Sequence, residues 1–369
     1  MVIENTPPAD QYVEQRPDIE ALVMKSLSQT PYRCLSLERL YGGYSNLTFR
    51  GILHSPLPDG QTSVIVKHLI THSNADLFDA PECRCASGDK SLEMMHDVLF
   101  QHGNVLIRTP AHLYCDTDAK VGVMEDVPNH GTLREYFDLN PGIDKSTALT
   151  IGESLGQWLS EFHSRDWSHL DDESAAPFIQ NQTTMRESKA IFEFLMDSFH
   201  DDSLARESII KVFSEDDSCQ SLIHGDFSGR NSLVQSDSPG KDPNAINITI
   251  IDWEMCRFGC SSVDLGSMIS SIYIQWRFDG TPSAKFLLNG FIRGYGQVSD
   301  HVALRTVALI AVYILLWEKV GGRIPGESRR SQVPGVRDYG RDLLIRAAQG
   351  DVKWVSESFL GALLKDRTE

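Results

Sequence analysis

Apolar and polar residues alternate in short runs through the first third of the chain, and longer helical periods fill most of the rest. Ile19, Leu22, Val23 and Leu27 recur at helical spacing and predict an amphipathic helix over 18–27, after a polar, proline-containing start. Between 35 and 68 the period falls to two, in β-rich runs beginning at Leu35, Asn46 and Ser63 and separated by Gly and Pro turns. A helix is predicted over 92–100, followed by a strand pair that ends at 121–127. Strands, one helix and strands again make a small α+β lobe.

Beyond Pro128 the pattern is mostly helical, over 132–137, 146–164, 183–198 and 203–213. Two short apolar strands interrupt it, at 221–226 and 248–253, with a loop between them, and helices return from Val263 onward. The expected architecture is therefore α+β with two lobes. A tail and helix occupy 1–34, a small β-rich lobe 35–127, and a larger, mostly helical lobe 128–369, with the linker near 127–129. The Ser-, Asp- and Pro-rich stretch at 235–247 reads as a surface loop. The greasiest run, Val307 to Trp317, has eleven residues, short of the roughly 20 that span a bilayer, and reads as a buried core helix.

Charge narrows the partners. The chain has 34 Lys and Arg against 51 Asp and Glu, a formal net charge of −17, so its mean field repels polyanions. Neither nucleic acid nor an acidic membrane is expected as a partner, and any phosphate chemistry needs a local site that recruits cations. Seven cysteines form an odd set without zinc-site spacing, and the polar N-terminus shows no apolar signal core. Reduced thiols and a cytoplasmic location are the expectation.

The segment from His224 to Asn231 concentrates the candidate chemistry. A short apolar strand delivers Asp226 into a loop, Asn231 follows five positions later, and a second apolar strand ends in Ile251, Asp252, Trp253 and Glu254. Taken singly, an Asp after a strand is an ordinary turn former or helix cap. Together these residues supply what phosphoryl transfer needs. One carboxylate orients the acceptor hydroxyl or takes its proton, which suits Asp226, while a carboxylate and an amide oxygen hold magnesium, which suits Asp252 and Asn231.

With these residues in view, the chain resembles the aminoglycoside phosphotransferase and choline kinase group of small-molecule kinases, relatives of the protein kinases. The resemblance runs from about Leu37 to Trp317 and is carried by the turn Tyr41–Arg50, the strand Ser63–Lys67, the segment Val123–Val127, and the two motifs above. Its glycine-turn and Asp252–Glu254 segments look closest to fungal kinases of the hydroxytryptamine-kinase type. The resemblance implies a two-lobed, protein-kinase-like fold with ATP and magnesium as cofactors. It places Gly42, Gly43, Ser45 and Asn46 over the nucleotide phosphates. It puts Lys67 on the α- and β-phosphates, with Glu93 pairing to it, although Glu82 or another nearby acid could serve. The backbone of Glu125 and Val127 would hold the adenine edge, His224 would bond loop backbone rather than act as a base, and Asp264 would brace the catalytic loop, a position that a plain helix N-cap explains almost as well.

Departures from the protein kinases point away from peptide substrates. Gly225 replaces their Arg between His and Asp, Trp253 and Glu254 follow the metal Asp where they place Phe and Gly, and few residues separate Asp252 from the next helix. The acceptor is then a small molecule, and Glu254, Tyr273 and Trp276 are the candidates to bind it. Aromatic faces beside carboxylates suit an amine- or alkaloid-like alcohol, while aromatics at helical spacing suit a core equally well. The alternative reading is a catalytically silent protein of this fold that binds a nucleotide or metabolite without turnover. The motifs set neither the acceptor nor the oligomeric state.

Overall fold

The computed structural model describes residues 19–40, 46–69, 83–95, 99–168, 170, 172–179, 182–214, 221–235, 245–320 and 335–364. Helix α1 (Ile19–Leu27) buries Val23 and Leu27 against a five-stranded antiparallel sheet. That sheet is built from β1 (Cys34–Leu40), β2 (Asn46–Leu53), β3 (Ser63–Leu69), β6 (His112–Asp116) and β7 (Val121–Glu125) in the order β1-β2-β3-β7-β6. Strand alternation decides which way each residue faces. Val64 and Val66 are fully buried in the small core with Leu47, Phe49, Val121 and Val123. Ile65 and Lys67 therefore lie on the opposite face, where Ile65 packs on the larger core.

Helix α2 (Cys83–Met95) begins well before the predicted start at 92 and ends before Phe100, which instead opens β4 (Phe100–His102), followed by β5 (Val105–Arg108). These two strands sit inside the segment expected to belong to the small lobe, yet they join a different sheet. Its order is β4-β5-β11-β10-β8, with β5 and β11 parallel. Strand β8 (Gly131–Thr132) leads into α3 (Leu133–Leu139), where Thr132 and Glu135 form a reciprocal capping box. Helices α4 (Lys145–Ser164), α5 (Asp172–Ile179), α6 (Gln182–Ser198) and α7 (Ser203–Ser214) come next, most of them close to their predicted spans.

Strands β9 (Ser221–Ile223), β10 (Ser232–Gln235), β11 (Ile246–Ile250) and β12 (Arg257–Gly259) carry the motif segments, and β10 fills part of what was expected to be loop. Helices α8 (Ser262–Arg277), α9 (Ala284–Tyr295), α10 (Asp300–Val320), α11 (Val336–Gln349) and α12 (Val352–Glu357) complete the larger lobe. A β-rich N-terminal part and a helical C-terminal part make the fold α+β, as expected. Helix α10 is longer than its eleven-residue greasy run, and over Asp300–Glu318 it is apolar enough by composition to cross a membrane. Here Ala303, Val307, Ala311 and Ile314 are fully buried in the protein's own core.

Helices α4 and α9 approach at backbone contact. A Cβ on Gly152, Gly156, Gly290 or Gly294 would overlap a main-chain oxygen of the facing helix. This close pair supports an aromatic platform of Trp158 and Phe162, ring centroids 5.7 Å apart. Phe227 stacks on Trp158 at 5.5 Å and Trp253 meets Phe162 edge-on at 5.4 Å. The residues directly after Asp226 and Asp252 are thus anchored in one buried cluster. Truncating a buried aromatic of this kind costs about 3–5 kcal/mol, so both loops have a firm footing.

Candidate active site

Two strand tips meet above that platform. Strand β9 ends at Ile223 and hands the chain to His224, Gly225 and Asp226, while β11 ends at Ile250 and hands it to Ile251 and Asp252. His224, with no exposed surface, joins them. Its Nδ1 accepts the Asp226 amide at 3.2 Å, which puts the ring proton on Nε2, donating to the Ile251 carbonyl at 2.9 Å. Burial lowers the His224 pKa, in keeping with a neutral ring. The imidazole is a joint between two loops.

The Asn231 amide donates to the Asp226 carboxylate at 2.8 Å and to the Asp226 carbonyl at 2.9 Å. Both amide hydrogens are thereby used, so Asn231 Oδ1 is the atom left to act as a ligand. The Asn231 carbonyl in turn accepts the Ile251 amide at 2.9 Å, which locks the two loops together. Asp252 itself sits in the left-handed region, at φ 69° and ψ 54°. A non-glycine residue there costs about 1–2 kcal/mol, a strain that the fixed flanks maintain.

Asp264, in the first turn of α8, is fully buried and braces the His224–Asp226 loop rather than capping its helix. Its two oxygens accept the amides of His224 and Gly225, each at 2.8 Å, and His163 Nε2 lies 2.9 Å away. Burial alone would raise this carboxyl. The hydrogen bond and charge of His163, with further help from His224, outweigh burial and hold it below the usual carboxylate range. Tyr295, 2.9 Å from His163 Nδ1, has its phenol pushed up to about 12 by burial. Gly225 explains the departure from Arg at this position. Its φ is +86°, and a Cβ would overlap the Met255 carbonyl.

Lys67 reaches the site from β3, its Nζ 2.5 Å from Asp252 Oδ1. Glu93 does not meet it. That carboxylate is half exposed and faces Lys90 at 3.4 Å and His112 at 3.8 Å. Helix α2 comes to the site by packing, with Gly88 against the Glu254 backbone. Glu82, the other acid considered, lies outside the described residues, as do Gly42, Gly43 and Ser45, and of Asn46 only its place at the start of β2 is described.

In the linker, the Glu125 carboxylate is held by Arg108 in a two-pronged contact at 2.6 and 2.8 Å, and the Glu125 amide donates to the Ala111 carbonyl. Val127 is 2% exposed, and its amide has no partner among the described residues. Glu254 follows Asp252 by two positions within a short 3-10 turn. Of the aromatic candidates, Tyr273 lies in the core and Trp276 packs against it half-buried. Tyr273 stacks on Phe359 and Tyr339 at 5.0 and 5.6 Å, and Trp276 carries Arg277 and Lys285 over its ring. Tyr273 is thus spent on core packing, while Trp276 stays half-buried beneath two cations.

One group that feels the charge of Asp226 is not foreshadowed by any motif. Tyr313 on α10 has its phenol pKa raised by burial and then by the charge of Asp226, with Arg257 opposing and Asp264 adding. Its only signal in the chain is a lone tyrosine within an aliphatic run.

Residues 83–307 match the family model described as the phosphotransferase enzyme family. That span takes in Asp226, Asn231 and Asp252. Among curated proteins, the phosphotransferase FrzJ of a Cladobotryum species is 24% identical, covering 93% of this chain and 95% of that protein. The 4-hydroxytryptamine kinase of Psilocybe cubensis is 25% identical, covering 76% of this chain and 80% of its own. Among solved structures, a choline/ethanolamine kinase family protein of Mesorhizobium loti has a TM-score of 0.47 at 18% identity, covering 93% of this chain and 98% of that one. A Streptomyces rimosus aminoglycoside phosphotransferase bound to ADP and streptomycin has a TM-score of 0.47 at 13% identity, covering 89% and 98%. With Asp226, Asn231, Asp252 and more than half its length inside the family match, the chain belongs to the phosphotransferase enzyme family and is a small-molecule kinase.

Proposed function

We propose that this kinase takes ATP as its phosphoryl donor, with magnesium, and phosphorylates the hydroxyl of a small amine- or alkaloid-like alcohol. The observation that carries the reading is the joining of Asp226, Asn231 and Asp252 by His224 and by the Asn231–Ile251 backbone bond, with Lys67 on Asp252. Asp226, its carboxylate fixed by Asn231, receives the acceptor hydroxyl. As the acceptor oxygen bonds to the γ-phosphorus and the bond to the ADP oxygen breaks, the hydroxyl proton passes to Asp226. The Lys67 ammonium supplies positive charge for the donor phosphates, which an acidic chain needs locally.

The donor set fits magnesium. Among the described residues no group of three or more His, Cys, Asp or Glu could hold a metal unaided. Asp252 and Asn231 Oδ1 are two hard oxygen ligands, the number that suits an ion whose remaining ligands are phosphates and water. Bound there, magnesium would neutralise charge on the phosphate oxygens. The Val127 amide suits a ring nitrogen of adenine as acceptor.

For the acceptor, support comes from the net charge of −17 and from the relatives named as 4-hydroxytryptamine kinases. The test is ADP release measured over a panel of amine alcohols, phenolic amines and neutral sugars. Asp226→Asn should lower kcat by about 10²–10⁴-fold and leave the KM for ATP nearly unchanged. Turnover of Asp226→Asn at the wild-type rate would remove the assigned base, and saturation on neutral sugars alone would remove the amine acceptor.

A further inference from the structure

The linker between the lobes is pinned on both sides of one residue. Upstream, Asp126 is almost fully buried at 3% exposure, and its carboxylate accepts Arg50 Nε at 2.8 Å, Arg50 Nη2 at 3.2 Å and Ser63 Oγ at 2.7 Å. Arg50 comes from β2 and Ser63 from the start of β3, so two strands of the small lobe grip one linker carboxylate. Downstream, the Val127 carbonyl accepts from His130 Nδ1, and the Pro128 carbonyl accepts from Gln235 Nε2 of β10 at 2.7 Å. Between these clasps stands the Val127 amide, in a residue 2% exposed, with no partner among the described residues. A main-chain donor left without an acceptor in so enclosed a residue calls for one. Nothing in β7 or the linker sequence alone demands a buried acid at 126. The carboxylate ties the linker to β2 and β3.

We infer that Asp126 is a positioning residue for the nucleotide: gripped by Arg50 and Ser63, it sets the Val127 amide as the fixed donor against which the purine base is read. The inference rests on the ATP reading above. Asp126 touches no substrate in this arrangement and acts only through Val127. Its loss therefore weakens what the base contributes to binding, and leaves the triphosphate, the metal ligands and the transfer step as they were.

The experiment compares two donors, ATP and ribose 5-triphosphate, which lacks the base, in wild type and Asp126→Asn. The wild type should prefer ATP. Asp126→Asn should raise the KM for ATP about five- to tenfold, the worth of one well-placed hydrogen bond. Its kcat should stay within twofold, and its KM for ribose 5-triphosphate should not move. Arg50→Lys and Ser63→Ala each remove one arm of the grip and should reproduce a smaller shift, which keeps the test decisive where Asp126→Asn fails to fold. Equal weakening of both donors, a fall in kcat at constant KM, or an unchanged ATP preference in all three variants overturns the inference. A wild type that turns over no ATP at all fails the proposed function instead, and the two failures are distinct.

Discussion

Replacing Asp264 by Asn exchanges one carboxylate oxygen for an NH₂ group in a fully buried residue. Oδ1 accepts the Gly225 amide, and Oδ2 accepts both the His224 amide and His163. An Asn side chain keeps one acceptor oxygen. In its better orientation the new NH₂ faces the Gly225 amide, donor against donor, and His163 loses a charged partner. Hydrogen bonds to a charged group contribute about 1.5–3 kcal/mol each, and breaking a buried pair by changing one member costs about 3–5 kcal/mol. We expect a loss of about 3–5 kcal/mol, read as a lower urea midpoint at unchanged slope. The backbone of His224 and Gly225 carries Asp226, so kcat should fall about 10²-fold as well.

The pH dependence gives an independent check. The Asp264 pKa is held below its usual value, so its contribution is complete above the unfolded-state pKa of about 3.9 and is lost as pH falls through the folded value. The gap between wild type and Asp264→Asn should be flat near neutrality and close in acid. A variant that melts with the wild type at pH 7 and keeps its kcat would refute the bracing argument.

Other perturbations test separate parts of the site. Gly225→Ala forces a side chain to φ +86° and into the Met255 carbonyl, so kcat should drop at least tenfold and the denaturation midpoint should fall by the equivalent of about 2–4 kcal/mol. Lys67→Met removes the ammonium beside Asp252 and should raise the KM for ATP about tenfold or more, measured by nucleotide titration, and an unaltered KM would detach Lys67 from the donor phosphates.

What could be read from residue order was local. The alternation of Val64 and Val66 against Lys67 settles which face of β3 the ammonium takes, and the spacing from Asp226 to Asn231 to Asp252 is enough to expect their meeting. Glu93 fails because its partner depends on how α2 settles against the Asp252 loop, a tertiary matter with no trace in helical periodicity. Tyr273 and Trp276 carry an ambiguous signal, since aromatics at one helical face serve a core and a ligand alike, and Tyr339 and Phe359 claim Tyr273 from distant parts of the chain. Asp126 is visible as a residue, but its grip needs Arg50 and Ser63, some 60 to 80 positions earlier. Strand β10 is four residues long beside a Ser- and Asp-rich stretch, too short to announce itself by period.

The parallel pairing of β5 with β11 has a bearing on how this enzyme can be divided. All five residues of β11 are buried, and Val105–Arg108 flanks four of them on one side. A recombinant fragment starting at the linker would leave that apolar edge without its neighbour, an open template for stacking with further copies. The parts of the chain before and after the linker are therefore inseparable in expression. Any shortened version that stays dispersed must retain the stretch from Phe100 to Arg108.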